Sequence, residues 1–133
     1  TMTAEQEREY LRKKAESDNE IEILAEINGM IAGLAGIGVV GDKDKIRHRA
    51  DFGISIDKTY WNLGIGTALT DACIECAKNA GYEQIELNVV AENEAAVAGY
   101  KKAGFQEFGR DPRGFKSRLT GYQEIIYMRK ELV

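Results

Sequence analysis

Histidine is nearly missing from this chain: His48 stands alone in 133 residues, beside only two cysteines, Cys73 and Cys76. That scarcity leaves no His/Cys/carboxylate spacing suited to a metal. His48 has no partner set nearby, so it reads as an exposed strand residue rather than a catalytic one. The cysteines spell C-x-x-C, yet both fall on the apolar stripe of a helix. A redox pair needs an exposed, low-pKa thiolate at a helix start, so these read as core residues, and two lone thiols fit a reducing compartment. Positive charge is also in deficit, with 18 Lys and Arg against 22 Asp and Glu for a net charge of −4. This balance argues against nucleic acid or an anionic membrane surface as the main partner. No apolar run reaches the length of a membrane span and no charged-then-apolar leader stands ahead of the fold, so a cytoplasmic location is the expectation. The length suits a single domain over 1–133 with one core.

What the chain does have is a glycine-rich turn between two regular elements. Phe52-Gly53-Ile54-Ser55-Ile56 alternates as a strand does, and Tyr60-Trp61-Asn62-Leu63-Gly64-Ile65-Gly66-Thr67 then leads into a helix. Ile65, Leu69, Ala72, Cys73, Cys76, Ala77 and Ala80 recur at steps of three and four, and Gly81 ends the helix. A further strand over Gln84 to Val90 completes a right-handed crossover unit. Glycines that allow tight turning and close approach, followed by unpaired helix N–H groups, make a cradle for an anion such as a diphosphate. Taken alone, the turn fits a plain strand ending with no ligand equally well.

Upstream, Thr1 precedes Met2, so this start is not an ordinary initiator. Thr3-Ala4-Glu5-Gln6 spells a capping box, and the polar run to Glu16 predicts a helix with a thin apolar stripe of Ala4, Tyr10, Leu11 and Ala15. Ile21, Ile23, Ala25 and Ile27 alternate with Glu22, Leu24 and Glu26, and Asn28-Gly29 is a hairpin signal before a strand from Met30 to Val39. Gly36-Ile37-Gly38-Val39-Val40-Gly41 formally spells the dinucleotide fingerprint G-x-G-x-x-G. It is rejected because that fingerprint must open an apolar helix, whereas Asp42-Lys43-Asp44-Lys45 follows. Close packing against a helix or local sheet twist explains these small residues better.

Downstream lies Asn93-Glu94-Ala95-Ala96-Val97-Ala98-Gly99-Tyr100-Lys101-Lys102-Ala103-Gly104-Phe105. Asn93 suits an N-cap and Gly104 a helix end, with Phe105 packing beyond it; those roles need no ligand. Tyr100 shares a helix face with Val97 and Ala96, and by periodicity alone it is a core aromatic. The remainder reads as a strand from Phe105 to Arg113, a mobile loop from Gly114 to Gly121, and a strand from Tyr122 to Val133. Within that loop, Gly114-Phe115-Lys116-Ser117-Arg118 suits either an acceptor-side loop or a plain hairpin tip.

A Gly-x-Gly turn opening a helix, a strand, and then Asn-x-x-Ala-x-x-x-Tyr-x-x-x-Gly-Phe resemble the GNAT superfamily of acetyl-CoA-dependent N-acetyltransferases, in that family's order and spacing from about Ile21 onward. The resemblance implies an α/β (α+β) fold with a mixed, splayed β-sheet and flanking helices. It also implies that the usual first strand and helix, with part of the acceptor site, are lacking here. The implied reaction is direct attack of a small-molecule or peptide amine on the thioester in a ternary complex, with acetyl-CoA as cosubstrate and no metal.

By the same resemblance, the N–H groups of Leu63, Gly64, Ile65, Gly66 and Thr67 would hold the pyrophosphate, Trp61 and Asn62 would belong to the same cofactor site, and the backbone of Ile54 and Ile56 would pair with the pantetheine arm. The Ile56 N–H would meet the thioester oxygen, and Tyr100 would return a proton to the leaving thiolate. Asn93 would hold the arm or order water. Lys101 and Lys102 would meet the outer phosphate, although a solvated helix face also accounts for them.

Two positions depart from the pattern. Trp61 stands where Arg or Gln is usual, and Asn88 stands where protein alanine acetylases carry a glutamate base. A lysine-type amine costs roughly 4 to 5 kcal/mol to neutralise at pH 7, an α-amine only about 1, so a site without a strong base suits the latter or a water-relayed carboxylate. Glu86 and Asp51 are the candidates for that carboxylate. The alternative is a non-catalytic acyl-CoA-binding or interaction module of the same fold. An incomplete sheet edge leaves a homodimer open.

Overall fold

The computed structural model describes residues 9–15, 20–61 and 64–133. Among these residues seven strands form one sheet, β1 (Glu9–Ala15), β2 (Ile21–Ile27), β3 (Met30–Val39), β4 (Arg49–Ile56), β5 (Gln84–Val90), β6 (Gln106–Ser117) and β7 (Gly121–Glu131). Helix α1 (Ile65–Asn79) joins β4 to β5, and α2 (Glu94–Lys102) joins β5 to β6. The spatial order is β1-β2-β3-β4-β5-β7-β6, in which β4 and β5 pair parallel and the other neighbours antiparallel.

Local signals place most boundaries. Asn28 and Gly29 both take positive φ, at 52° and 79°, as a two-residue hairpin between right-twisted strands requires. Ile21, Ile23, Ala25 and Ile27 all point inward from β2. They meet the apolar stripe of α1, where Ile65, Leu69, Cys73, Ile74 and Ala77 are buried. Gly81, at φ 90°, ends α1 by donating to the Lys78 carbonyl, while the Tyr82 N–H reaches the Ala77 carbonyl. Among the described residues no helix is long and apolar enough to cross a membrane.

Three expectations are corrected. The helix predicted over the polar run to Glu16 is a strand from Glu9 to Ala15, antiparallel to β2 from Glu9↔Ile27 to Ala15↔Ile21; its capping box, Thr3 to Gln6, lies outside the described residues. The free edge of β2 offers backbone hydrogen bonds to the whole segment, and that tertiary gain outweighs a weak helical preference. The loop expected from Gly114 to Gly121 is mostly strand, because β6 continues to Ser117 and only Arg118 to Thr120 make the turn. A register shift between Asp111 and Phe115 takes up the irregular sequence there. His48 lies in the turn before β4, where its carbonyl accepts from the Glu83 N–H at 2.9 Å.

The glycine on which α1 rests is Gly33, not the Gly36 to Gly41 run. A Cβ at Gly33 would lie 3.0 Å from the Ser55 oxygen, 3.2 Å from Ile56 Cγ1 and 3.3 Å from Leu69 Cδ1. Gly33→Val therefore overpacks the contact of α1 with β3 and β4, and is expected to cost about 1 to 3 kcal/mol in chemical denaturation. Gly53→Ala, with nothing within 4 Å of its Cβ position, is the matched control.

Candidate active site

Strands β4 and β5 hydrogen-bond as neighbours over only three rungs, Arg49↔Gln84, Ala50↔Ile85 and Asp51↔Glu86. Beyond Asp51, β4 continues to Ile56 and β5 to Val90, but they no longer pair. The result is a V with its vertex at Asp51 and Glu86. The direction of the free groups on β4 follows from its other edge. The Arg49 carbonyl accepts from Val40 and the Asp57 N–H donates to Ala32, each at 2.9 Å, so odd-numbered residues face β3. Backbone groups alternate between edges, so Ile54 and Ile56 turn theirs into the V. An open strand edge of this kind can pair with an extended ligand.

Helix α1 begins at the mouth of the V. Gly64 caps it in the left-handed region at φ 80°, with no side-chain cap and no acidic residue in the first turn. The first bond to the Gly64 carbonyl comes from Ala68, at 3.1 Å. The N–H groups of Ile65, Gly66 and Thr67 therefore have no partner within the helix and sit at its positive end. Asn62 and Leu63, also expected in the cradle, lie outside the described residues. Trp61 is described, and its indole N–H donates to the Ile56 carbonyl at 3.0 Å. That donor is thus committed to the end of β4.

At the vertex, Tyr100 is half-buried on α2 with its ring edge-on to Phe52, centroids 6.3 Å apart, and to Phe105, 5.9 Å apart. Phe52 is the first residue of β4 past the last rung, so the tyrosine stands beside the point where the strands part. Burial pushes its phenol above the ordinary value, which keeps it protonated at neutral pH. Phe52 was not singled out from the sequence, where it stood only as one residue of an alternating strand.

The two candidate carboxylates differ. Glu86 is gripped by Arg49 in a fork, Nε to Oε2 at 2.8 Å and Nη2 to Oε1 at 2.6 Å. A carboxylate held this way is poorly available as a base. Asp51, across the last rung, has its carboxyl pushed up by burial and by the Glu86 charge, with a smaller opposing effect from the Phe52 backbone N–H. It borders a shallow depression of about 230 Å³ on the sheet face away from α1, lined also by Glu20, Glu22, Gly36, Gly38 and Gly53. Asn88 is exposed on β5 opposite Tyr127.

The other expected residues have structural roles in view. The Asn93 side chain accepts from the Ala96 N–H at 3.2 Å, as an N-cap does. Lys101 and Lys102 are exposed in the last turn of α2, where they complement the helix dipole. Cys73 is fully buried, and burial, reinforced by Cys76, pushes its thiol up to about 12. At about pH 8 roughly one such thiol in 10,000 would be ionised. Iodoacetamide is therefore expected to leave Cys73 unmodified until the protein unfolds, as peptide mass mapping would show. Among the described residues no group of His, Cys, Asp and Glu is placed to hold a metal.

The model of the acetyltransferase (GNAT) family matches residues 1–105. An L-amino acid N-acetyltransferase of Escherichia coli is 33% identical over 108 residues, which are 80% of this chain and 65% of that protein. The ribosomal protein bS18-alanine N-acetyltransferase of the same species is 35% identical over 101 residues, 76% of this chain and 64% of the relative. The chain thus spans just under two thirds of the length of these two curated relatives. A crystal structure of a GNAT-family acetyltransferase from Streptococcus pneumoniae superposes with a TM-score of 0.82 at 37% identity, covering 87% of this chain and 69% of that one.

Proposed function

Because the chain belongs to the GNAT acetyltransferase family, we propose that it transfers the acetyl group of acetyl-CoA to a primary amine, by direct attack while both are bound. The observation that carries this reading is the V itself: an edge of β4 that β5 leaves unpaired past Asp51, with the N–H groups of Ile54 and Ile56 turned into it and only the Ile56 carbonyl taken, by Trp61, an anion cradle at its mouth and a protonated phenol at its vertex.

The pyrophosphate rests on the N–H groups of Ile65, Gly66 and Thr67, and the pantetheine arm runs inward along β4. Entering from the mouth, the arm passes Ile56 before Ile54. The thioester therefore comes to the Ile54 N–H, and the Ile56 N–H serves the arm, a reassignment of the role expected for Ile56. The amine nitrogen attacks the thioester carbonyl carbon, and the oxygen takes up negative charge opposite the Ile54 donor. Collapse of the intermediate breaks the C–S bond, the sulfur takes the Tyr100 proton, and the amine proton passes to Asp51 or to water beside it. With Glu86 tied to Arg49, Asp51 is the better acceptor.

No residue at Asn88 can take a proton, so an acceptor of low pKa, such as an α-amine of an amino acid or peptide, fits best. Asn88 also favours a second reading, an acyl-CoA-binding module without turnover. A thiol-release assay with acetyl-CoA and a panel of α-amino peptides, amino acids and polyamines separates the two. Transfer predicts release with at least one α-amine; coenzyme binding with no release from any amine would leave the module.

A further inference from the structure

We infer that Trp61 and Lys58 form the seat for the adenosine 3′-phosphate end of coenzyme A, an assignment that rests on the coenzyme reading above and extends it. Trp61 is the chain's one tryptophan, and the residue is 55% exposed. An exposed indole usually swings freely, but this one is fixed by its N–H bond to the Ile56 carbonyl. One edge is held while the ring remains open to solvent. The Lys58 ammonium lies 5.8 Å from the ring centroid. Lys58 belongs to the short 3-10 turn Lys58–Tyr60, braced where the Asp57 carboxylate accepts from the Thr59 N–H at 2.9 Å.

The place matters as much as the chemistry. The carbonyl that pins the indole faces the V, so the ring stands at its mouth. Trp61 stands three residue steps before Gly64, and such a span reaches at most about 11 Å. The plate is therefore within a nucleotide's length of the cradle that would hold the diphosphate, on the side from which the arm enters. With the Lys58 ammonium over one face of the ring, the opposite face receives a purine by stacking, and the ammonium meets a phosphate on the same nucleoside. Neither group serves the chemistry at the vertex. The tryptophan that replaces the usual Arg or Gln thus gives up a polar contact to the pyrophosphate and supplies a platform for the base.

The single tryptophan lets binding be read from its own fluorescence, alongside calorimetry. Coenzyme A is expected to change the emission on saturation, and acetyl-pantetheine, which lacks the nucleotide, to leave it unchanged. Trp61→Leu should weaken coenzyme A on the order of tenfold, and Trp61→Phe, which keeps a flat face but no N–H, much less. Wild type should prefer coenzyme A over dephospho-coenzyme A by about 5-fold, and Lys58→Met should abolish the preference. Calorimetric binding of coenzyme A with a silent indole, or an equal response to acetyl-pantetheine, overturns this assignment alone. No binding of coenzyme A overturns the coenzyme reading with it.

Discussion

Tyr100→Phe is expected to lower kcat about 100- to 1,000-fold while leaving the affinity for acetyl-CoA nearly unchanged, the range lost with a general acid. The ring's packing against Phe52 and Phe105 survives the change, so only the hydroxyl is removed. Because burial raises the phenol pKa, the wild-type rate should not fall through ionisation of Tyr100 until the pH passes about 10. The same shift has a stability consequence of definite sign. A folded-state pKa above the unfolded value of about 10 means a contribution fully present below that pH and lost as the pH rises through the higher folded value. Urea midpoints measured on either side of that range should show the loss in wild type and a smaller one in Tyr100→Phe. An unchanged kcat would make the tyrosine a packing residue only.

The second large effect is expected at the cradle. Thr67 is exposed in the first turn of α1, and its N–H makes no helical bond. Proline is tolerated in a first turn and removes that donor, with the flexible Gly66 before it easing the steric demand. Thr67→Pro should therefore weaken acetyl-CoA roughly 10- to 100-fold, the worth of one hydrogen bond to a charged phosphate, with little change in thermal midpoint. Thr67→Ala keeps the N–H and should bind as wild type. Equal affinity in all three proteins by calorimetry would place the pyrophosphate elsewhere.

Local chemistry made much of this legible in the sequence. Asn28-Gly29, Gly64, Gly81, Asn93 and Gly104 each mark a boundary through their own backbone preference, and each stands where that preference predicts. What stayed hidden was non-local. Whether Glu9 to Ala15 forms helix or strand depends on the open edge of β2, which its own residues do not reveal. The vertex of the V depends on where two strands stop pairing, a property of neither strand alone. The Arg49–Glu86 fork joins residues 37 apart in sequence, so Glu86 looked as eligible a base as Asp51 until the register set Arg49 beside it. The bond from Trp61 to Ile56 was hidden for the opposite reason: the two are near in sequence, but the turn between them had to be seen.

Amide hydrogen exchange, measured with and without saturating acetyl-CoA, bears most directly on the V. The account predicts slowed exchange at Ile54 and Ile56 on β4 and at Gly66 and Thr67 on α1, as the arm and the diphosphate take up those N–H groups. Saturable binding that leaves these four amides exchanging as they do in the free protein would contradict it.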